Sequence, residues 1–281
     1  MNEYNINIGI DVAKNHLDVC ILPSGKTKRF KNNELGIVSL IEFIGDKEQI
    51  ERIILEPTGG YEELVLELLS EKNYKISLVN AAQIRAFARA NGILAKTDKI
   101  DAKVLADYGT KIPSRLYVPL SLPLKQLRKY VQRRRQLLHM IVEEKNRLKK
   151  ERDGEMIILI KETLEYLNKQ KDILEQRIIE KIEIDEQLKS IKEILVSMKG
   201  IGCVTAAVLM CEVPELGKLS HNQIAKLIGV APLNRESGMM RGKSKIYGGR
   251  GYVRDSLYLA ALPAIRFEPI LRDFYLRLKN N

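Results

Sequence analysis

Asp98 and Asp101 stand three residues apart in Lys96-Thr97-Asp98-Lys99-Ile100-Asp101-Ala102, in what reads as the first turn of a helix. At that spacing both carboxylates share one face. Like charges held side by side repel, so such a pair is least costly at the surface and most useful when a divalent cation sits between its members. Taken alone, the pair reads more readily as a solvated helix start, where acids are favoured by the helix dipole. Two acids upstream shift the balance. Asp11 closes the alternating run Ile6-Asn7-Ile8-Gly9-Ile10, and Glu56 follows the compact apolar run Ile53-Ile54-Leu55. Four carboxylates converging on one point would be prohibitive without cations, and two Mg²⁺ ions are the usual solution for chemistry at a phosphodiester. Mn²⁺ suits the same oxygen ligands. His16, His139 and His221 are scattered, and Cys20, Cys203 and Cys211 show no CxxC spacing, so neither a zinc centre nor a histidine-based triad is expected.

Ser237 is a second candidate, at the other end of the chain. It lies in a Gly-rich stretch running through Arg241-Gly242-Lys243 to Gly248-Gly249-Arg250-Gly251-Tyr252-Val253-Arg254, with six basic side chains and one acid between Arg235 and Arg254. The composition predicts a loop lying along a phosphate backbone, with Arg241, Lys243, Arg250 and Arg254 as contacts. An isolated Ser-Gly is more often an ordinary turn. In this basic setting a nucleophile is also open, because cations stabilise an alkoxide and the charge developing at an attacked phosphate. No base is evident nearby. Gly200-Ile201-Gly202, with its apolar flanks, resembles a helix-hairpin-helix turn whose backbone amides approach a phosphate. Arg133-Arg134-Arg135 reads as a solvated charge run or as a nucleic-acid contact.

The elements that must position these residues are legible in outline. Three short strands are expected over 6–10, 17–22 and 27–31. A helix follows over 34–45, with Leu35, Val38, Leu40, Ile41 and Ile44 as its stripe. A strand at 53–55, a helix at 61–70, a strand at 76–79 and a helical region from Ala81 through the aspartate pair complete the first part. This order fits a mixed α/β sheet covered by helices, as in the ribonuclease H-like fold. From Leu124 a seam through Leu127, Val131, Leu138, Ile141 and Leu148 predicts one long helix of about 40 Å. Beyond Glu151-Arg152-Asp153-Gly154, a second seam runs from Ile157 to Leu195. The expected domains are 1–120, a helical coiled-coil linker over 121–195, and a mainly α segment over 196–281.

The formal net charge of +11 is uneven: 1–123 is neutral, 124–150 carries +8, 155–198 carries −3, and 196–281 carries +7. A neutral first domain followed by basic zones suggests a polyanion partner, most simply nucleic acid. At 281 residues and 45% apolar content the chain can bury real cores. No run approaches the ~18 apolar residues of a membrane span and no signal-peptide pattern opens the sequence, so a cytoplasmic protein with buried reduced thiols is expected.

Together Gly9-Ile10-Asp11-Val12-Ala13-Lys14, Glu56-Pro57-Thr58-Gly59, Lys96 to Ala102, Gly200-Ile201-Gly202, Glu236-Ser237-Gly238 and Gly248-Gly249-Arg250 resemble the DEDD transposases of bacterial and archaeal insertion sequences, related to the Piv-type DNA invertases. The resemblance covers nearly the whole chain. It implies that Asp11, Glu56, Asp98 and Asp101 form the Mg²⁺-binding tetrad of a RuvC-like domain. Ser237 would be the serine of a C-terminal transposase domain that attacks DNA, activated by a tetrad on the same or another subunit. It further implies DNA element ends and target as substrates, a structured noncoding guide RNA, and dimers assembling into a tetramer. Relatives of this kind usually continue beyond the equivalent of Leu278 with a helical, basic tail, whereas this sequence stops at Asn281, which leaves a short or decayed copy open. Two other readings remain: a junction-type nuclease that uses water, and a nucleic-acid-binding relic. An actin-like kinase, which also begins with a strand ending in Gly-Ile-Asp, lacks support because no second Gly-rich phosphate loop precedes residue 120.

Overall fold

Alternation of β-branched and polar or small residues makes β1 (Ile6–Val12), which pairs antiparallel with β2 (His16–Leu22), itself antiparallel to β3 (Lys26–Lys31). After α1 (Glu34–Ile44), β4 (Ile50–Leu55) returns parallel to β1; α2 (Glu63–Glu71) then leads to β5 (Ile76–Leu78), parallel to β4. The sheet order is β3-β2-β1-β4-β5, which places β1 at the centre. Two helices follow, α3 (Ala81–Ala90) and α4 (Asp98–Lys111). The structure, a computed structural model, describes residues 6–95, 97–233, 236–237, 240–241 and 244–280. They fall into two compact units, Met1–Pro119 and Leu120–Asn281.

Period-two alternation sorts the first unit into two faces. Ile8, Ile10, Leu17, Val19, Ile53 and Leu55 pack with Ile37 and Leu40 of α1 and with Val65 and Leu69 of α2. The buried positions of α1 are Ile37, Leu40 and Ile44, whereas Leu35 is 80% and Val38 49% exposed. The expected α1 stripe was therefore rotated toward solvent. On the opposite face α4 lies across the sheet, with Ala102 and Ala106 against Cys20 and with Val104, Leu105 and Tyr108 in a core shared with Ile54 and α3. Small residues set this approach. A Cβ on Gly9 would come within 2.0 Å of the Ala102 carbonyl oxygen, and one on Gly109 within 2.7 Å of the Ile54 side chain. Only glycine at both positions lets α4 sit this close to β1 and β4.

The second unit begins with α5 (Leu122–Leu148), followed by α6 (Gly154–Ile184) and α7 (Glu186–Val196). Leu137 and Ile141 meet Leu167, and Leu127 and Val131 meet Ile178 and Ile182, so α5 and α6 form an antiparallel hairpin. Two details depart from the expected seams. Leu137, not Leu138, is the buried member of its pair. The second arm breaks at Asp185, whose carboxylate caps α7 by accepting from the Leu188 amide at 2.9 Å. Next come α8 (Cys203–Glu212), α9 (His221–Ile228) and four two-residue strands: β6 (Pro232–Leu233), β7 (Glu236–Ser237), β8 (Met240–Arg241) and β9 (Lys245–Ile246). β6 pairs with β9, and β7 with β8, so the stretch expected to be a loop is partly ordered into hairpin pairs. The chain closes with α10 (Gly251–Phe267) and α11 (Pro269–Lys279). One core joins Leu127, Val131, Ile178, Ile182 and Leu188 to Ala207–Cys211 and Val253, so the expected linker and C-terminal segment share their packing. Cys20 and Cys211 are buried free thiols. Among the described residues no helix is long and apolar enough to cross a membrane.

Candidate active site

The face of the sheet beneath α4 collects the acids. Asp11 follows Gly9 on that face of β1, and Glu56 follows Ile54 at the end of β4, one residue beyond the Ile10↔Leu55 pairing. Asp98 and Asp101 occupy the first turn of α4, where the Thr97 side chain caps the helix by accepting from the Ile100 amide at 3.3 Å. Gly9 thus has a functional consequence, since the helix it admits carries two of the four carboxylates. Their convergence registers on Asp11. Burial and, after it, the negative charges of Asp101, Glu56, Asp98 and Asp18 together push its carboxyl up from the ordinary 3.8 to about 6.

Three participants were missed at the sequence level. Antiparallel register sets Asp11 opposite Asp18, and Asp18 opposite Arg29. Asp18 is buried, and the Arg29 guanidinium grips it through Nε at 3.0 and 3.1 Å and through Nη2 at 2.8 Å. The same Nη2 donates to Asp98 Oδ2 at 2.7 Å, and His16 Nε2 lies 3.3 Å from that oxygen. The His16 bond and the Arg29 contacts hold the Asp98 carboxyl below the usual aspartate range. Donor atoms of His16, Asp18 and Asp98 all lie within 4.8 Å of one another. The available signal was the two-residue spacing of His16 and Asp18 on a strand that pairs with the one bearing Asp11.

The loops that follow β1 and β4 are tied down by side chains. Glu62 is buried, and its Oε2 accepts from the Thr58 amide at 3.1 Å, the Thr58 hydroxyl at 3.0 Å and the Gly60 amide at 2.8 Å. Burial pushes the Glu62 carboxyl up, but these bonds and its own backbone amide bring it below the usual range. Asn32 Nδ2 donates to the carbonyls of Ala13 and Tyr61, both at 3.0 Å, and so joins the loop after β1 to the loop after β4. The donor set is rich in carboxylate oxygen, as hard divalent cations require.

The residues expected to contact nucleic acid fare differently. Arg133 is exposed and bonds Gln136 on its own helix at 3.0 Å. Arg134 is committed to Glu175 at 2.7 Å, and Arg135 stacks 4.7 Å from the centre of the Tyr252 ring. Arg250 places both terminal nitrogens on Glu215 and one on the Glu212 carbonyl, each at 2.6 Å. Arg254 donates to the carbonyls of Gly229 at 3.2 Å and Gly248 at 2.8 Å. These bonds give Arg134, Arg250 and Arg254 internal partners. Gly200, at φ 94°, is required by packing, because a Cβ there would lie 2.2 Å from the Ala260 carbonyl oxygen. Gly202 is the N-cap of α8 and has open space around it. Ser237 lies in β7, whose backbone pairs Ser237 with Met240. Lys243 and the side chains of Ser237 and Arg241 lie outside the described residues.

Comparison with known proteins finds matches in both halves of the chain. Residues 8–151 match a transposase family of the DEDD IS110 type, and residues 192–276 match the transposase IS116/IS110/IS902 family. The pilin gene-inverting protein of Moraxella lacunata is 27% identical over 267 residues, which span 91% of this chain and 81% of that protein. The pilin gene-inverting protein of Moraxella bovis has the same identity and coverage.

Proposed function

Because the chain belongs to the IS110 family of DEDD transposases, we propose that it cuts and rejoins DNA at the ends of an insertion sequence, with a cation-binding tetrad and a serine nucleophile. The observation that carries the reading is the charge conflict at Asp11, raised to about 6 by burial and by Asp101, Glu56 and Asp98. A site that concentrates carboxylates against their own repulsion is suited to cations and to a polyanionic substrate. The sheet order β3-β2-β1-β4-β5, with its first three strands antiparallel, supports a ribonuclease H-like, RuvC-like domain around it.

Asp11, Glu56, Asp98 and Asp101 would hold Mg²⁺ or Mn²⁺. Bound there, the ions supply positive charge that stabilises the leaving oxygen and eases deprotonation of the attacking hydroxyl. Ser237 Oγ forms a bond to phosphorus as the P–O3′ bond breaks. The serine loses a proton and the released 3′ oxygen gains one, leaving a 5′-phosphoserine ester. That ester keeps the energy of the phosphodiester, so rejoining needs no high-energy cofactor. A carboxylate site in one domain and a serine in another fit a composite arrangement in which subunits cooperate, as dimers assembling into a tetramer on two DNAs. Target choice through a structured element RNA would leave backbone and shape to the protein and sequence to base pairing, the logic of another RNA-guided system.

The test is a denaturing gel of end-labelled element-junction DNA with Mg²⁺ and co-expressed element RNA. Wild type is expected to give a protein-linked band that disappears in Ser237→Ala. Asp101→Ala is expected to lose cleavage while DNA binding stays within a few fold. Release of free ends by wild type and Ser237→Ala alike would replace the serine reading with that of a nuclease using water.

A further inference from the structure

Arg29 stands out because it bridges a buried acid and one of the proposed cation ligands. Its fork is fixed on Asp18, which is only 4% exposed, by three contacts of 2.8 to 3.1 Å. A buried carboxylate without a partner is strongly disfavoured, so this grip is the structural part of the arrangement. The contact with Asp98 has a different character. The Asp98 side chain is 51% exposed and needs no neutralising partner, yet Arg29 Nη2 reaches its Oδ2 at 2.7 Å and His16 Nε2 lies 3.3 Å from the same oxygen. Both contacts fall on Oδ2, and neither uses Oδ1.

We propose that Arg29, anchored by Asp18, is a positioning residue that pins Asp98 through Oδ2 so that Oδ1 is presented to a divalent cation. His16 is the second hand on the same oxygen. A half-exposed aspartate at a helix start would otherwise sample several rotamers, most of them directed to water. Arginine suits the task and lysine does not, because one planar group must serve Asp18 through two nitrogens and Asp98 through one of them. The three residues lie on β2 and β3, whereas Asp98 lies on α4, so the clamp also fixes the start of that helix over the sheet. This inference rests on the reading of Asp11, Glu56, Asp98 and Asp101 as cation ligands.

The sign of one measurement separates positioning from simple charge. Deleting a positive group beside a cation ligand should by Coulomb attraction alone tighten cation binding. Loss of positioning should weaken it, by about ten- to a hundredfold where a group orienting a ligand is removed. The experiment titrates Mn²⁺ into the full chain, follows the free ion by electron paramagnetic resonance, and compares wild type with Arg29→Gln and with the double variant Asp18→Asn, Arg29→Gln. The double variant removes both charged partners, so no buried acid is stranded and the fold is kept; near-ultraviolet circular dichroism checks this. Weaker Mn²⁺ binding by at least about tenfold is expected in the double variant and also in Arg29→Gln, where loss of positive charge alone would tighten it, each with the wild-type spectrum. The Mn²⁺ concentration for half-maximal DNA cleavage should rise in step, with the rate recovered at saturating Mn²⁺. Unchanged or tighter Mn²⁺ binding in the double variant would overturn the positioning role. Asp11→Asn serves as the control for the underlying reading: Mn²⁺ binding that survives this substitution intact would overturn the cation site itself, and the clamp with it.

Discussion

Asp11 carries the cost of bringing the site together. Its carboxyl, near 3.8 in an unfolded chain, is raised to about 6 in the fold, so the folded state binds a proton more tightly than the unfolded one between these values. The sign follows from linkage. The raised group favours the fold fully below about 3.8, and that contribution is lost as pH rises through about 6. In EDTA, the melting temperature of wild type relative to Asp11→Asn is therefore expected to fall between pH 4 and pH 7, and Mg²⁺ should restore it at the upper end. A difference that stays flat across this range would show that the acids do not meet on Asp11. The midpoint will reflect the cluster, since the charges of Asp101 and Glu56 act on Asp11. At this scale the sequence was informative about Asp98 and Asp101, whose spacing is set by the helix period, and about Asp11 and Glu56, which close apolar strands. It was silent on Arg29, because a basic residue in the polar strand Lys26–Lys31 reads as solvent-facing until strand register places it opposite Asp18.

Helix α4 and strand β1 are one functional element in two pieces. Gly9 has no room for a methyl group: the added carbon would lie 2.0 Å from the Ala102 carbonyl and 2.4 Å from the Ala106 amide, both backbone atoms that cannot rotate away. Gly9→Ala must lift α4 from the sheet and is expected to cost about 1–3 kcal/mol of stability, as overpacked cores do. Because Asp98 and Asp101 ride on that helix, cation affinity should drop as well. A variant with wild-type urea midpoint and wild-type Mn²⁺ binding would refute the close-packing account. Strand and helix existence followed from periodicity, but the helix faces did not always. In α1, Ile37, Leu40 and Ile44 turn inward while Leu35 does not, a choice made by where α2 and β3 supply partners. The break at Asp185 was hidden because the apolar rhythm continues across it, from Ile182 to Leu188.

Each unit of the molecule has its own core, and Asp11, Glu56, Asp98 and Asp101, with Arg29, His16, Asp18, Asn32 and Glu62, lie wholly in Met1–Pro119. That unit expressed alone is expected to unfold cooperatively and to bind Mn²⁺ as the full chain does, yet to form no covalent link to DNA. Non-cooperative melting of the fragment would mean that its core depends on the second unit. The charge map was readable from the sequence at this scale. The ion pairs of particular arginines were not, because the partners of Arg134 and Arg250, Glu175 and Glu215, lie far along the chain.

The α5–α6 hairpin has a mechanical side. Its root residues Leu127, Val131, Ile178 and Ile182 are embedded in the same core as Ile228 of α9 and Val253 of α10, the two helices that flank the Ser237 segment. Beyond Val131 the rest of α5, to Leu148, extends for about 25 Å. A stiff rod clamped at one end is a lever: torque applied near its tip is delivered as rotation at its base. A load on the turn at 149–153 is therefore borne by the same core that holds α9 and α10.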